Sequence, residues 1–396
     1  MFENLETLPP DPILGLSVAF REDASPDKVD LSVGVYKDRS GVTPVMAAVQ
    51  VAERALIEAQ LTKVYLPPAG APGFREGIYS LVMGSAGTDH RARTAILQAP
   101  GGCGALRLGA ELIHRAVPAA TVLLSDPTWP NHGPLLSGGG LRLERHAYFD
   151  AAARQLTLQP MLDALDAAAP GTLVLLQASC HNPTGLDPDR DQWRAILDVI
   201  AARRLVPFFD IAYQGLGDDL DADAWAIREA AGRLPEMLVA VSCSKSFGLY
   251  RERTGALLVL GEDAGRARAV ESQANKAARS MYSMPPGHGG LIVERILNDA
   301  TMQAAWREEL GEMAARLKGL RRAFAAAVEA ARPGFDASWI TRQRGMFSPL
   351  GVAPEAVRKL REEDHLYMGL DSRINVAGLS EDNVERVATL VAPHLE

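Results

Sequence analysis

Lys245 closes the run Ser242-Cys243-Ser244-Lys245, immediately after an apolar stretch. A lysine at the C-terminal end of a strand, beside a cavity, can shed its proton and attack a carbonyl as the free amine. Taken alone, such a lysine is more often a solvated loop residue. Its neighbours favour the chemical reading. Arg253, in Tyr250-Arg251-Glu252-Arg253-Thr254-Gly255, could clamp a phosphate that Ser242 also hydrogen-bonds. Pro100-Gly101-Gly102-Cys103-Gly104-Ala105 precedes a helical stretch, Leu106 to Ala116. Glycines let backbone approach a phosphate, and a helix N-terminus adds unpaired N–H groups. The run is neither a GxGxxG fingerprint nor a Walker loop, so one phosphate on a small cofactor fits better than a nucleotide.

Asp210 ends Val206-Pro207-Phe208-Phe209-Asp210. A carboxylate there either caps the following helix or pairs with a pyridinium nitrogen, which it would keep protonated. Tyr213 could reach the same ring's phenolic oxygen. Asn182, in His181-Asn182-Pro183-Thr184-Gly185, could do so too, or simply form an Asn-Pro turn. Trp129 offers a flat face for stacking, or a core tryptophan. Arg373, in Asp371-Ser372-Arg373-Ile374-Asn375, interrupts a strand-like run, and its fork suits a substrate carboxylate. Amine, phosphate cradle, ring-nitrogen acid, ring stack and carboxylate clamp are together the parts of a pyridoxal-phosphate site.

These residues need a frame that brings them together. Between about residues 95 and 260, short apolar runs alternate with helical segments such as Asp191–Arg204. The strand candidates are Thr121–Ser125, Leu173–Ala178, Val206–Phe209, Leu238–Ser242 and Ala256–Leu260. All are apolar on both faces, as strands covered on both sides must be, so the expectation is a mostly parallel α/β sheet. Ligands gather at the carboxyl ends of such strands, where Asp126, Asn182, Asp210 and Lys245 fall. From about residue 300 the pattern becomes one long amphipathic helix, Met302 to Ala331, then a smaller α+β region with which Val29–Tyr36 is expected to pack.

The net charge of −8 argues against a nucleic-acid partner and gives no pull towards an anionic membrane. No run of about 18 apolar residues offers a membrane span. Met1-Phe2-Glu3-Asn4 lacks the look of a signal peptide, and three cysteines without metal-like spacing suit reduced thiols, so the cytoplasm is expected, with no metal site.

The chain resembles the aspartate/aromatic aminotransferases, fold-type I pyridoxal-phosphate enzymes of class I, nearly end to end. The resemblance runs through Asp11-Pro12-Ile13-Leu14-Gly15-Leu16, Val33-Gly34-Val35-Tyr36-Lys37-Asp38 and Ser125-Asp126-Pro127-Thr128-Trp129-Pro130-Asn131-His132. It continues in Cys180-His181-Asn182-Pro183-Thr184-Gly185, Asp210-Ile211-Ala212-Tyr213-Gln214-Gly215, Ser244-Lys245-Ser246-Phe247-Gly248-Leu249-Tyr250 and Ser372-Arg373-Ile374-Asn375-Val376-Ala377-Gly378-Leu379. It implies an N-terminal arm (1–11), a large domain (43–300) with a mostly parallel seven-stranded sheet, and a small α+β domain (12–42 and 301–396). It further implies Lys245 as Schiff-base lysine and proton carrier, with Asp210 on the ring nitrogen and His132 behind it. Asn182 and Tyr213 would hold the ring oxygen, Trp129 would stack, and Gly102, Cys103, Ser242 and Arg253 would bind phosphate. Tyr65 would reach that phosphate from the other subunit of a homodimer with shared active sites. Gly34 and Arg373 would hold the substrate α-carboxylate, and Arg279 would cross the interface to a distal carboxylate.

Departures from the family pattern bear on substrate. Cys103 replaces the usual Thr or Ser, and Val64 and Met284 stand where aspartate-preferring members often carry Asn. Val35, Lys37 and Thr43 match the aspartate-preferring pattern, whereas the stretches around Asp210 and Ser242–Gly255 resemble the bacterial aromatic enzymes. The implied activity is ping-pong transfer, through pyridoxamine phosphate, from aromatic amino acids and aspartate to 2-oxoglutarate. Alternatives are an aspartate-specific enzyme, a lyase or decarboxylase of the same fold, and a non-catalytic cofactor-binding regulator.

Overall fold

The computed structural model describes residues 1–8, 12–59 and 61–395. The end of the expected arm, Asp11 included, lies outside the described residues, as do Gln60 and Glu396. Seven strands form the central sheet: β1 (Thr94–Pro100), β2 (Thr121–Asp126), β3 (Arg142–Ala147), β4 (Leu173–Gln177), β5 (Val206–Ile211), β6 (Met237–Ser242) and β7 (Thr254–Leu260). Their order is β1-β7-β6-β5-β4-β2-β3. Only β7 runs against its neighbours, so the sheet is mostly parallel, as expected.

Alternate residues of the buried strands feed two cores, one on each face, because successive strand side chains point to opposite sides. Leu176, Phe209, Val239 and Leu258 enter one core. Leu175, Phe208, Leu238 and Leu257 enter the other. Two strands escaped the apolar pattern. The edge strand β3 reads Arg-Leu-Glu-Arg-His-Ala and buries only His146, so no hydrophobic run marks it. β1 carries Gln98 in mid-strand, where it donates to Pro286 O and accepts from Ala71 N.

The helices that matter for the site are α1 (Gly101–Ala116), α2 (Arg190–Arg203), α3 (Ala264–Met281) and α4 (Ala300–Ala331). α1 starts five residues earlier than its apolar pattern, so the glycine run is its first turn rather than a preceding loop. α2 begins at a capping box: Asp189 accepts from the N–H groups of Asp191 and Gln192, and Gln192 Oε1 accepts from Asp189 N.

A third core gathers Val29, Leu31, Phe324, Trp339, Ile340, Leu366 and Ile374. Val29–Asp30 pairs in parallel with Leu366–Tyr367, so the early segment does pack with the C-terminal region. α4 belongs to two cores: Trp306, Leu310 and Leu317 pack into the first, Phe324 and Val328 into the third. No helix of the described residues is long and apolar enough to cross a membrane.

Candidate active site

At the carboxyl edge of the sheet lies a cavity of about 290 Å³. Its walls include Gly34, Gly102, Cys103, Trp129, Asn182, Asp210, Tyr213, Ser242, Lys245, Arg253 and Arg373. These residues come from segments as far apart as 34 and 373, and strand register explains how they meet. Because β7 is antiparallel to both β6 and β1, Gly255 pairs with Ser242, and Thr254 pairs with Pro100. Arg253, Ser242 and the first turn of α1 therefore converge. An added Cβ at Gly101 would fall 2.5 Å from Arg253 Nη2, and one at Gly102 would fall 3.1 Å from Ser242 Cβ. Only glycine leaves that corner open.

Lys245 follows β6 in a tight turn held from two sides. Ser246 Oγ donates to Gln214 O at 2.8 Å, and Trp306 Nε1 of α4 donates to Ser246 O at 2.8 Å. Phe247 stacks on Trp306 with centroids 4.5 Å apart. So braced, Lys245 sets Nζ over the Tyr213 ring, 5.0 Å from its centroid. Burial pushes its ammonium pKa below the ordinary lysine value; nearby Asp210 opposes that shift, and Arg253 adds to it.

Asp210 is anchored from behind. His132, fully buried and outside the cavity wall, sets Nε2 3.0 Å from Asp210 Oδ2 and Nδ1 2.8 Å from Thr128 Oγ1. A carboxylate only accepts, so Nε2 is the donor to Asp210, while Nδ1 meets the threonine hydroxyl, which can either donate or accept. Trp129 packs edge-on against His132 with centroids 5.2 Å apart.

On the opposite wall, Arg373 Nη1 donates to Asn182 Oδ1 at 2.9 Å and Nη2 to Ser32 O at 3.4 Å. Its Nε is buried with no partner. Asn182 itself is held through its backbone by Gln177, whose amide both donates to Asn182 O and accepts from Asn182 N. Burial holds the phenols protonated: Tyr213 is raised above the ordinary tyrosine value, and Tyr250 is pushed up to about 12. Left-handed backbone at Cys180, Arg253 and Ser372 flanks three of the site's polar side chains. Such strain persists where surrounding contacts over-determine it. At Cys180 the holder is Asp187, which accepts from the N–H groups of Cys180 and His181.

Besides His132, which stands behind Asp210, two of the expected residues are not in the cavity wall. Tyr65 is 89% exposed. Arg279, near the end of α3, is exposed and donates to Ser283 Oγ at 2.6 Å. Val64 is also exposed, and Met284 Sδ accepts from Leu66 N. Conversely, Gln177, Ser244, Tyr250 and Phe347 line the cavity without having been singled out. Gln177 was detectable as the one polar side chain in an apolar strand. Phe347 gave no signal, because Met346-Phe347 reads as ordinary core.

The set fits a small ring that bears a phosphate and a carbonyl. α1 has no side-chain cap at its N-terminus, leaving donors for an anion next to Arg253. The glycine corner keeps that place open, Lys245 supplies an amine of lowered basicity, and the Asp210 carboxyl is braced by His132 to face a ring N–H.

A family model described as aminotransferase class I and II matches residues 26–391. An aromatic-amino-acid aminotransferase of Pseudomonas aeruginosa is 43% identical, over 99% of this chain and 98% of its own. An aspartate aminotransferase of Haemophilus influenzae is 41% identical, over 97% of each chain. The crystal structure of an aromatic-amino-acid aminotransferase from Burkholderia pseudomallei, covalently bound to pyridoxal phosphate, is 42% identical and covers 100% of both chains with a TM-score of 0.97. With fold, site and sequence in agreement along its whole length, the chain belongs to the class I and II aminotransferases.

Proposed function

We propose that this aminotransferase works with pyridoxal phosphate on aromatic amino acids and on aspartate, with 2-oxoglutarate as acceptor. One observation carries the reading: a single cavity unites the amine of Lys245, the carboxylate of Asp210 and the guanidiniums of Arg253 and Arg373. The relatives named for aromatic amino acids and for aspartate support the pair of donors.

Pyridoxal phosphate, when bound, supplies a protonated ring that takes up the electron pair released at the substrate α-carbon. The first-turn N–H groups of α1, Ser242 and Arg253 hold its phosphate, and Trp129 packs on its ring. Asp210, kept in place by His132, would face the ring nitrogen and favour its protonated form. Asn182 spends Oδ1 on Arg373, which leaves its amide N–H to donate to the ring oxygen alongside the Tyr213 hydroxyl. Lys245 Nζ would be the cofactor's attachment point, and as a free amine it would take the proton from the substrate α-carbon. Arg373 receives the α-carboxylate on the donors it does not give to Asn182 and Ser32, with the Gly34 backbone beside it.

Tyr65 and Arg279 serve the site of a partner subunit in a homodimer. Both are exposed, and exposed apolar residues stand beside each in sequence, Leu61 and Val64 before Tyr65 and Met281 after Arg279, a composition that suits a covered face. Residues 12–42 with 301–396 form the small domain, and 43–300 form the large one; the separate third core supports this division. Three free cysteines suit the cytoplasm.

The test is a half-reaction. Holoenzyme is mixed with aspartate, tyrosine, phenylalanine or leucine without acceptor, and the cofactor absorbance is followed. Conversion by aspartate, tyrosine and phenylalanine is expected. An unchanged spectrum with every amino acid overturns transamination, and conversion by aspartate alone overturns the aromatic half of the reading.

A further inference from the structure

Phe347 touches three parts of the site. The Arg373 guanidinium lies over its ring, 4.3 Å from the centroid. Its edge meets the Tyr213 ring at 6.1 Å and 85°. Gly34 faces it so closely that an added Cβ would sit 2.6 Å from Phe347 Cζ. Phe347 is 3% exposed and Arg373 6%, so ring and cation meet away from water, where their attraction is strongest.

The backbone that carries the ring is held from outside the cavity. Arg321, buried on α4, donates to Ile340 O, Arg344 O, Gly345 O and Phe347 O, the last at 2.7 Å, and to Gln343 Oε1. No hydrogen-bonded carboxylate accompanies this buried guanidinium among the described residues, and all of its bonds go to the segment that ends in Phe347. Ser348 Oγ joins the same Gln343 oxygen. The segment then pairs antiparallel with Arg373–Asn375, Phe347 opposite Asn375 and Pro349 opposite Arg373. Arg373 and Phe347 are thus diagonal neighbours across two strands, within reach of each other's side chains.

Arg373 needs such a support. Its two hydrogen bonds leave from Nη1 and Nη2, the second is long at 3.4 Å, and Nε has none. The two hydrogen bonds hold the fork only at its tips, and the Phe347 ring is the contact beneath its centre. We propose that Phe347, held by Arg321, is a positioning residue that sets the plane of the Arg373 guanidinium and so the fit of the substrate α-carboxylate. The proposal rests on the reading of Arg373 as the carboxylate-binding residue. It extends that reading by linking carboxylate recognition to α4, the helix that joins the sheet core to the third core.

Phe347→Leu removes the ring and keeps an apolar side chain; Phe347→Met offers a longer, more adaptable chain and serves if the leucine variant does not accumulate. The expected result is a KM raised about tenfold for amino acid and 2-oxo acid alike, from loss of a desolvated cation–π contact. kcat and cofactor absorbance should stay as in the parent. In an Arg373→Gln background the same substitution should change KM by less than about twofold, because a residue acting through Arg373 has nothing left to act on. Arg321→Lys keeps the charge without the planar fork and should raise KM in the same direction, again only where Arg373 is present. Unchanged KM in the Phe347 variants, a shifted cofactor spectrum, or an equal KM increase with and without Arg373 overturns the proposal. If Arg373→Gln alone leaves KM for carboxylate substrates unchanged, the reading of Arg373 fails first, and the proposal with it.

Discussion

Lys245 works as a nucleophile and a base only when its amine is neutral, and the fold lowers the cost of neutrality by burying it. The sign of the resulting pH dependence follows. A lowered pKa means that the neutral fraction at any pH below about 10.4, the free-lysine value, is larger than for an ordinary lysine. Attachment of pyridoxal phosphate to the apo chain should therefore speed up as pH rises, with a midpoint below that value, read from the absorbance of the lysine-linked cofactor. Asp210 pulls the lysine pKa upward, so Asp210→Asn should move the midpoint further down. A midpoint at the free-lysine value, or an upward move in Asp210→Asn, would contradict the assignment.

At the scale of elements, the N-termini of α1 and α2 differ in sequence, and they do different things. α2 is closed by the Asp189 side chain, a purely structural solution. α1 has no such cap and instead opens with Gly101 at φ 69°, its missing Cβ making room for Arg253. The two ends should respond differently to alanine. Asp189→Ala is expected to cost about 1 kcal/mol of stability, measured by thermal or denaturant unfolding, with cofactor retention unchanged. Gly101→Ala should cost about 1–3 kcal/mol through left-handed strain alone. It should also release cofactor on dialysis, since the methyl group displaces the arginine proposed to bind phosphate. Equal cofactor retention in the two variants would argue against phosphate at α1.

For the whole molecule, the decisive question is whether Arg279 and Tyr65, which do not line their own cavity, serve that of a partner subunit. If the site is shared across a dimer, a Lys245→Ala chain still lends its Arg279 to a neighbour. Co-expressed with an Arg279→Ala chain that keeps Lys245, it should form a hybrid with one intact site. Aspartate turnover of the purified hybrid should then exceed that of either parent homodimer, while phenylalanine turnover should differ little from the Arg279→Ala homodimer per intact lysine. A hybrid no more active on aspartate than its parents would place Arg279 outside the partner's site.

Sequence alone determined the chemistry and much of the frame. Apolar runs placed five of the seven strands, since a strand covered on both faces must be apolar throughout, and the polar residues just after those runs marked the site's edge. β3 stayed hidden because it is a solvent-facing edge strand, and the glycine run was legible as a phosphate cradle but not as the first turn of α1. Only the tertiary structure decided which residues share the cavity. Arg253 reaches Gly101 because β7 reverses direction between β6 and β1, and strand order is a property of distant pairing that no local pattern records. The same holds for Arg373 with Asn182, and above all for Phe347. Its role comes from the guanidinium packed over it and from Arg321 behind it, both contacts between parts of the chain that only folding brings together.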